Sequence, residues 1–179
     1  MRLATITLWL TLTVVSRAAE VESRVLTHYV PQDFLETVVR KEGWTELPLD
    51  VKGGVRKGDV VRVWAGGSID RGNGDQPGEN VNNPAGLSIS MEPTEAQKLA
   101  LKPQAEDAFA LLFKTETELQ KCQQPGKPLE LSLANDKEKI WIGFNDLRGR
   151  YYDNHLGKGR RHELDPLWVR IEVVRIIVD

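Results

Sequence analysis

One stretch of the sequence, residues 142–157, places oxygen-bearing side chains at a spacing that could hold a cation. An alternating apolar run ends at Phe144, and the acidic side chain of Asp146 follows almost at once. A second acid, Asp153, comes later in the stretch, and Gly149 between the two allows a tight bend. We expect the loop to return on itself and to bring the two carboxylates together, where they would repel each other unless a cation lay between them.

Calcium suits this set of groups, because Ca²⁺ accepts oxygens from carboxylates, amide side chains and main-chain carbonyls in loose geometry. The stretch offers no sulfur and only His155 as a nitrogen donor, which disfavours zinc and copper. The spacing does not match an EF-hand, which requires acceptors at alternate positions and a Glu at the twelfth. The alternative is that Asn145-Asp146 and Asp153-Asn154 simply form hairpin turns, as such pairs often do.

A second polar segment, residues 66–86, is rich in glycine, proline and asparagine and has almost nothing to bury. Its composition predicts one long surface loop, and loops of that length inside a compact domain are usually functional. Asp70 to Asp75 is a further candidate calcium loop, although Asp/Gly-rich turns are common. The alternative is a flexible linker, which the strand-like sequence on both sides disfavours.

The elements that must position these loops read as short β-strands. Val61, Val63 and Ala65 form one face of a strand over residues 60–65, and similar alternation returns later in the chain. The later alternating segments are residues 129–133, 140–144 and 167–174. Residues 44–51 contain Pro48 and fit an edge strand. Several short alternating strands separated by turn residues predict an all-β, antiparallel sandwich.

Three other segments are less regular. Residues 24–43 start irregularly and then space their apolar residues as a short helix does, with Gly43 placed to end it. Residues 91–107 are polar with two prolines and are predicted to be an exposed insertion. Residues 108–120 fit either a helix face or a buried strand, because periodicity does not decide for so short an apolar run.

The first eighteen or so residues have the pattern of a signal peptide. A positive start precedes an apolar run of about thirteen residues, too short for a membrane span of roughly 20. Small residues then suit cleavage after Ala18 or Ala19. We expect residues 1–18 to be removed and the rest to be secreted or periplasmic, with no membrane span. An uncleaved N-terminal anchor is the alternative.

The composition of the 179 residues excludes several classes of function. A formal net charge of −2 argues against a nucleic-acid binder held by a basic surface. The one cysteine, Cys122, cannot form an intrachain disulfide or a cysteine-rich zinc site. The chain also contains no phosphate-binding loop, dinucleotide fingerprint or nucleophile elbow.

Three segments carry a resemblance to a known family. Residues 58–67 contain a strand that leads into the first polar loop, and residues 110–114 form an apolar segment. Residues 142–154 keep the order Asn-Asp, Gly, Asp-Asn ahead of a closing strand near residues 169–173. Together they resemble the PA-IL-like family of calcium-dependent galactose-binding lectins.

The resemblance implies a galactose-binding-domain-like jelly roll over residues 44–179, preceded by the short helical lead-in at residues 19–43. It also favours a strand at residues 110–114.

The resemblance also implies one Ca²⁺ ion between the two loops, with a sugar completing its coordination. Asp146 matches the family's aspartate ligand, and Asp153 and Asn154 match its paired asparagine ligands, with Asp replacing the first Asn. The main-chain carbonyls of Arg71 and Arg150 match two carbonyl ligands. The second carboxylate should favour retention of the metal.

The sugar side departs from the family pattern. The family places a His and a Gln on the sugar's primary alcohol, and Asn82 and Ala85 stand at those positions here. Asn82 can hydrogen-bond and Ala85 cannot, so the preference for galactose is open. The expected sugar-binding residues are Asn82, Asp146 and Asp153.

These observations lead to one expected function and two alternatives. We expect a secreted carbohydrate-binding module that needs Ca²⁺ and catalyses nothing. The first alternative is a structural or adhesive sandwich in which Ca²⁺ only staples two loops. The second is a hydrolase using Glu163 and Asp165, the acids that follow His162, a cluster more simply explained as a charged turn. The identity of the sugar stays open, as does assembly into a homo-oligomer.

Overall fold

The structure is a computed structural model, and it describes residues 21–49, 51, 54–72, 81–86, 91–102, 104–124, 126–156 and 165–178. The predicted signal peptide lies outside these residues, as do His162 and Glu163 of the charged turn. The described chain is mostly β-strand in three antiparallel sheets, with two short helices. The predicted all-β, sandwich-like fold is therefore confirmed. Within the described ranges, no helix has the length and apolar character needed to cross a bilayer.

The strands and helices are listed here with their bounds. The strands are β1 (Val21–Tyr29), β2 (Thr45–Glu46), β3 (Val60–Gly66), β4 (Ile69–Asp70), β5 (Val81–Asn82), β6 (Leu111–Lys114), β7 (Leu119–Lys121), β8 (Leu129–Ser132), β9 (Trp141–Phe144), β10 (His155–Leu156) and β11 (Trp168–Val178). The helices are α1 (Gln32–Arg40) and α2 (Pro93–Ala96). The sheet orders are β1-β11-β3-β8, β2-β9-β6-β7 and β10-β4-β5.

The first sheet buries one face, as the sequence predicts. Val61, Val63 and Ala65 on β3 are buried, and Arg62 and Trp64 between them are half-buried. Directly paired residues of antiparallel strands share a face, so the inward residues of β11 stand opposite those of β3. This apolar face contributes to the core of the molecule.

The second sheet contains the segment that periodicity leaves ambiguous. Residues 111–114 form strand β6, as the resemblance implies, and Leu111, Leu112 and Phe113 are fully buried. A strand that is buried on both faces loses its alternation, which explains the ambiguous pattern. β2 lies at the edge of this sheet, as predicted for the segment that contains Pro48.

The N-terminal lead-in contains the predicted helix, together with a strand that the sequence analysis missed. Helix α1 buries Leu35, Val38 and Val39 completely and ends before Gly43. The expectation that residues 24–43 start irregularly is wrong, because β1 pairs with β11 along its whole length. β1 is an edge strand, and its apolar and polar side chains do not alternate regularly, so periodicity does not predict a strand there.

The polar segment at residues 66–86 is not a single loop. It contains strands β4 and β5, and Ile69 is fully buried while Asp70 is 1% exposed. The expectation that this segment has almost nothing to bury is therefore wrong. β4 pairs with β10, which brings the two polar loops of the sequence together.

Residues 91–107 are also more buried than their composition predicts. Ala96 and Leu99 belong to the core, and Leu99 forms an isolated β-bridge with Leu147. The prediction of an exposed insertion is wrong for these two residues and for Asp107, which is also buried. The segment packs against the loop that follows β9.

Candidate functional site

A small polar pocket lies where the two loops meet. Its volume is about 210 Å³. Its lining residues are Arg71, Gly72, Phe109, Asp146, Leu147, Arg150 and Asp153. Four of the five predicted metal ligands, Arg71, Asp146, Arg150 and Asp153, are therefore brought to one place from two separate parts of the chain. The fifth, Asn154, is fully buried directly beside Asp153 in the chain.

The contact between the loops is a close backbone approach. His155 on β10 pairs with Asp70 on β4, which sets the register of the two segments. The Asp70 carboxylate then accepts a hydrogen bond from the backbone N–H of Gly72 at 3.0 Å. Gly72 has a φ of +62°, and a β-carbon there would lie 2.5 Å from Cγ of Asp153. Only glycine fits this position, so the first loop lies directly against the second.

Asp146 is the buried acid of the pocket, with 2% of its surface exposed. Its Oδ1 accepts a hydrogen bond from the backbone N–H of Leu147 at 2.7 Å. Burial raises the pKa of Asp146 to about 6, and the negative charge of Asp153 adds to this. The hydrogen bond from the backbone N–H of Leu147, the nearby side-chain amide of Asn154 and the charge of Arg71 oppose that shift without cancelling it. The carboxylate is therefore in an environment that favours binding of a positive charge.

Three oxygens of the predicted ligands are buried and have no hydrogen-bond partner. They are Oδ2 of Asp146, Oδ1 of Asp153 and Oδ1 of Asn154. Buried polar atoms are almost always hydrogen-bonded, so each of these oxygens calls for a partner. Two carboxylates and one amide oxygen match the ligand preference of Ca²⁺, and the residues present fit such an ion.

The donor set differs from that of a transition-metal centre. Within the described ranges, no three His, Cys, Asp or Glu side chains come together as a cluster. Among the described residues of the pocket, the acidic side chains are the two carboxylates of Asp146 and Asp153, which neutral oxygens can supplement. Ca²⁺ uses such neutral amide and carbonyl oxygens readily, whereas Zn²⁺ in proteins is held mainly by thiolates, imidazoles and carboxylates.

Helix α1 orients Asn154. The Asn154 Nδ2 donates a hydrogen bond to the carbonyl oxygen of Val39 at 2.6 Å, and this use of the amide nitrogen leaves Oδ1 for the site. Nearby, Oε2 of Glu42 accepts a hydrogen bond from the backbone N–H of Gly149 at 2.9 Å. The lead-in thus supports the second loop at two points. Sequence analysis missed this role, because nothing in the spacing of α1 indicates what it packs against.

Tyr151 fixes the start of the same loop. Its hydroxyl donates to the carbonyl oxygen of Phe144 at 2.8 Å and accepts from the backbone N–H of Asp146 at 3.2 Å. Burial raises the pKa of Tyr151, so the group stays a neutral hydroxyl that can both donate and accept. These bonds join the end of the turn to its beginning. The chain reverses at Gly149, whose φ is +73°.

The two arginines of the pocket differ in exposure. The guanidinium of Arg71 is half-buried and stacks over the ring of Phe109, with its Cζ 3.9 Å from the ring centroid. Burial lowers the pKa of Arg71, and the charge of Asp146 acts in the opposite direction. Arg150 is exposed at the pocket rim. Positive side chains thus flank the two carboxylates.

The remaining sequence candidates are not among the residues that line the pocket. Asn82 is buried on β5 opposite Ile69, and it does not line the pocket. Trp64 and Trp141 are covered by cations, with Arg170 4.3 Å and Lys114 5.2 Å from their respective ring centroids. None of these three side chains is among the pocket residues.

The arrangement as a whole can hold a cation and present it at a solvent-accessible rim. Comparison with models of known protein families and with curated proteins found no match.

Proposed function

We propose that this protein is an exported, calcium-dependent carbohydrate-binding protein and that it catalyses no reaction. The observation that carries the proposal is the set of unsatisfied buried oxygens on Asp146, Asp153 and Asn154 beside one small pocket. A bound cation would give each oxygen a partner and would cancel the repulsion between the two acids. The choice of Ca²⁺ follows from the oxygen-only donor set and its mixture of charged and neutral groups.

The pocket supports a ligand as well as an ion, because its rim reaches solvent. Ca²⁺ held there would supply open coordination positions for two neighbouring hydroxyls of a sugar. Asp146 and Asp153 would accept hydrogen bonds from those hydroxyls, and a charged acceptor strengthens such bonds. Arg150 at the rim can donate to further oxygens of the ligand. The resemblance to the PA-IL-like lectins points to the same mode of binding.

The identity of the sugar is a separate matter. Asn82 is not among the residues that line the pocket, and the side chain of Ala85 carries no polar group. The contacts that select galactose in the PA-IL-like family therefore have no counterpart among the pocket residues. We propose recognition of a vicinal pair of hydroxyls, with a sugar preference that differs from the galactose preference of that family.

The second candidate is a structural sandwich in which the ion only joins the loops. It is favoured by the direct contact between Gly72 and Asp153, because an ion there would cross-link two loops that already touch. The two candidates share the metal and differ in whether a sugar binds to it. One set of measurements therefore separates them.

The test is thermal unfolding of the whole exported chain in chelator, in Ca²⁺, and in Ca²⁺ with a panel of monosaccharides. At free Ca²⁺ about 100 times its Kd, the free energy of unfolding should rise by about 2.7 kcal/mol. At least one sugar should raise the melting temperature further, and only when Ca²⁺ is present. Stabilisation by Ca²⁺ without a response to any sugar would support the structural candidate. No response to Ca²⁺ would refute both.

Asp146→Asn and Asp136→Asn form a matched pair for this test. Both remove one carboxylate, but Asp136 is exposed and accepts only from the backbone N–H of Lys57, at 2.9 Å, among the described contacts. We expect Asp146→Asn to lose the response to Ca²⁺ and Asp136→Asn to keep it. Equal responses in the two variants would place the ion elsewhere.

A further inference from the structure

Asn145 has a fully buried side chain that makes four hydrogen bonds to a distant segment of the chain. Its Oδ1 accepts from the backbone N–H groups of Leu101 at 3.0 Å and Lys102 at 3.2 Å. Its Nδ2 donates to the carbonyl oxygens of Lys102 at 3.1 Å and Asp107 at 2.8 Å. The amide therefore uses its full set of donors, and both acceptor positions of its oxygen are occupied.

The same segment also holds the backbone on the other side of Asp146. The carbonyl oxygen of Asp146 accepts from the N–H of Ala100 at 2.9 Å, and the N–H of Arg148 donates to the carbonyl oxygen of Lys98 at 3.0 Å. Leu99 and Leu147 form a β-bridge between these two bonds. We call residues 98–102 and 104–107 the brace. The main-chain oxygen of Asp146 is thus occupied by the brace, while Oδ2 of its side chain has no partner.

We infer that the brace presets the metal site and that Asn145 is the positioning residue through which it fixes the direction of the Asp146 carboxylate; this inference rests on the proposed function. Asn145 does not touch the ion in this scheme. Two further hydrogen bonds fix the backbone of Asn145. Its N–H donates to the carbonyl oxygen of Ala110 at 2.9 Å, and its carbonyl oxygen accepts from the N–H of Phe109 at 2.8 Å. Hydrogen-bonding groups that surround metal ligands commonly change metal affinity 10- to 100-fold when they are replaced, and we expect an effect of that size here.

A merely structural role for Asn145 would predict something different. In that case its replacement would lower the free energy of unfolding, as the loss of any buried hydrogen-bonding group does. The coordination of a bound ion would not change. The matched control is Glu138, another buried side chain that binds backbone N–H groups of a loop. Glu138 accepts from Glu116, Ala134 and Asn135, and none of these lines the pocket.

The experiment compares the wild-type chain with Asn145→Ala and Glu138→Ala. Europium(III), a luminescent substitute for Ca²⁺, reports the number of water molecules on the ion through its lifetimes in H₂O and D₂O. We expect Asn145→Ala to gain at least one bound water and to lose about 10- to 100-fold in Ca²⁺ affinity, measured by calorimetry well below the melting temperature. Glu138→Ala should have a lower melting temperature than wild type. It should keep the wild-type number of water molecules on the bound ion and the wild-type affinity for Ca²⁺.

An unchanged water count with Ca²⁺ affinity within about twofold of wild type in Asn145→Ala would overturn the inference while leaving the metal site intact. Failure of the wild-type chain to bind either ion would overturn the proposed function and this inference with it. If Asn145→Ala does not fold, amide hydrogen exchange of the wild-type chain with and without Ca²⁺ tests the inference instead. Ca²⁺ should slow exchange of the Leu101 and Lys102 amides and leave those of Ala134 and Asn135 unchanged, and equal behaviour of the two pairs would refute the inference.

Discussion

Gly72 and Asp153 are in such close contact that a β-carbon on the glycine would lie 2.5 Å from the carboxylate carbon of the acid. One residue comes from the loop after β4 and the other from the loop before β10. Their contact makes the geometry of one loop depend on the other. The candidate metal site is therefore a property of the folded chain and of neither loop alone.

Gly72→Ala should separate the two loops. The substitution forces a side chain against Asp153 and also imposes the cost of a positive φ, roughly 1–2 kcal/mol. We expect the Ca²⁺-induced rise in melting temperature to disappear. Gly126→Ala is the matched control, because Gly126 has a φ of +84° with no atom within 4 Å of the added carbon. It should carry the same backbone cost and keep its response to Ca²⁺; loss of that response in both variants would count against the loop contact.

Asp146→Asn should stabilise the protein in chelator. Folding buries this carboxylate and raises its pKa from 3.8 to about 6, so the ionised group opposes folding at neutral pH. By the free energy of one pKa unit, removal of the charge should raise the free energy of unfolding by at most about 3 kcal/mol. Urea titrations in chelator measure this. If Asp146→Asn is less stable than wild type in chelator, the ionised carboxylate does not oppose folding. That result would contradict the interpretation of Asp146 as a buried charge that lacks its metal partner.

The pH dependence of that difference has a defined sign. The pKa of Asp146 is raised on folding, so its contribution to stability is fully present below 3.8 and is lost as the pH rises to about 6. In chelator, the stability advantage of Asp146→Asn should therefore grow between these two values and stay constant above them. An advantage that is independent of pH would assign the effect to packing instead of charge.

Arg175→Met tests a buried ion pair that lies outside the site. Arg175 donates to Oδ1 of Asp59 at 3.0 Å and to Oδ2 at 2.7 Å. Burial alone would raise the pKa of Asp59, but the bonds from Arg175 and the backbone of Arg56 lower it overall. Loss of one partner of a buried pair costs about 3–5 kcal/mol.

The lowered pKa of Asp59 determines the pH range in which the ion pair with Arg175 stabilises the protein. The stabilisation is present above the unfolded value of 3.8 and is lost as the pH falls through the folded value. The difference between Arg175→Met and wild type in urea unfolding should thus be largest near neutral pH and shrink in acid. The Ca²⁺-dependent shift should persist in this variant, and its loss would mean that the ion pair and the metal site are coupled.

The predictable parts of the structure are those fixed by local pattern. Val61, Val63 and Ala65 face inward because strand geometry alternates side chains between two faces. Asp146 and Asp153 meet because the loop between them turns at Gly149, which spacing and residue type already indicate. In each case the information lies within a few residues of the feature it predicts.

The parts that sequence analysis missed depend on long-range contacts. The brace is held by backbone hydrogen bonds to Asn145, and a polar segment with prolines gives no sign of them. Strand β1 is likewise defined by its pairing with β11 at the far end of the chain. The match of Asn82 to a family position depends on where gaps fall in the loop before it, and Asn82 is not among the residues that line the pocket.

The most direct measurement is a crystal structure of the chain grown with Ca²⁺, with Tb³⁺ as an anomalous scatterer to locate the ion. Oδ2 of Asp146 and Oδ1 of Asp153 should both lie about 2.3–2.6 Å from one Ca²⁺ ion, joined by Oδ1 of Asn154. Density for an ion bound at another place, or the absence of any ion while these three oxygens bond to protein groups, would contradict the proposal.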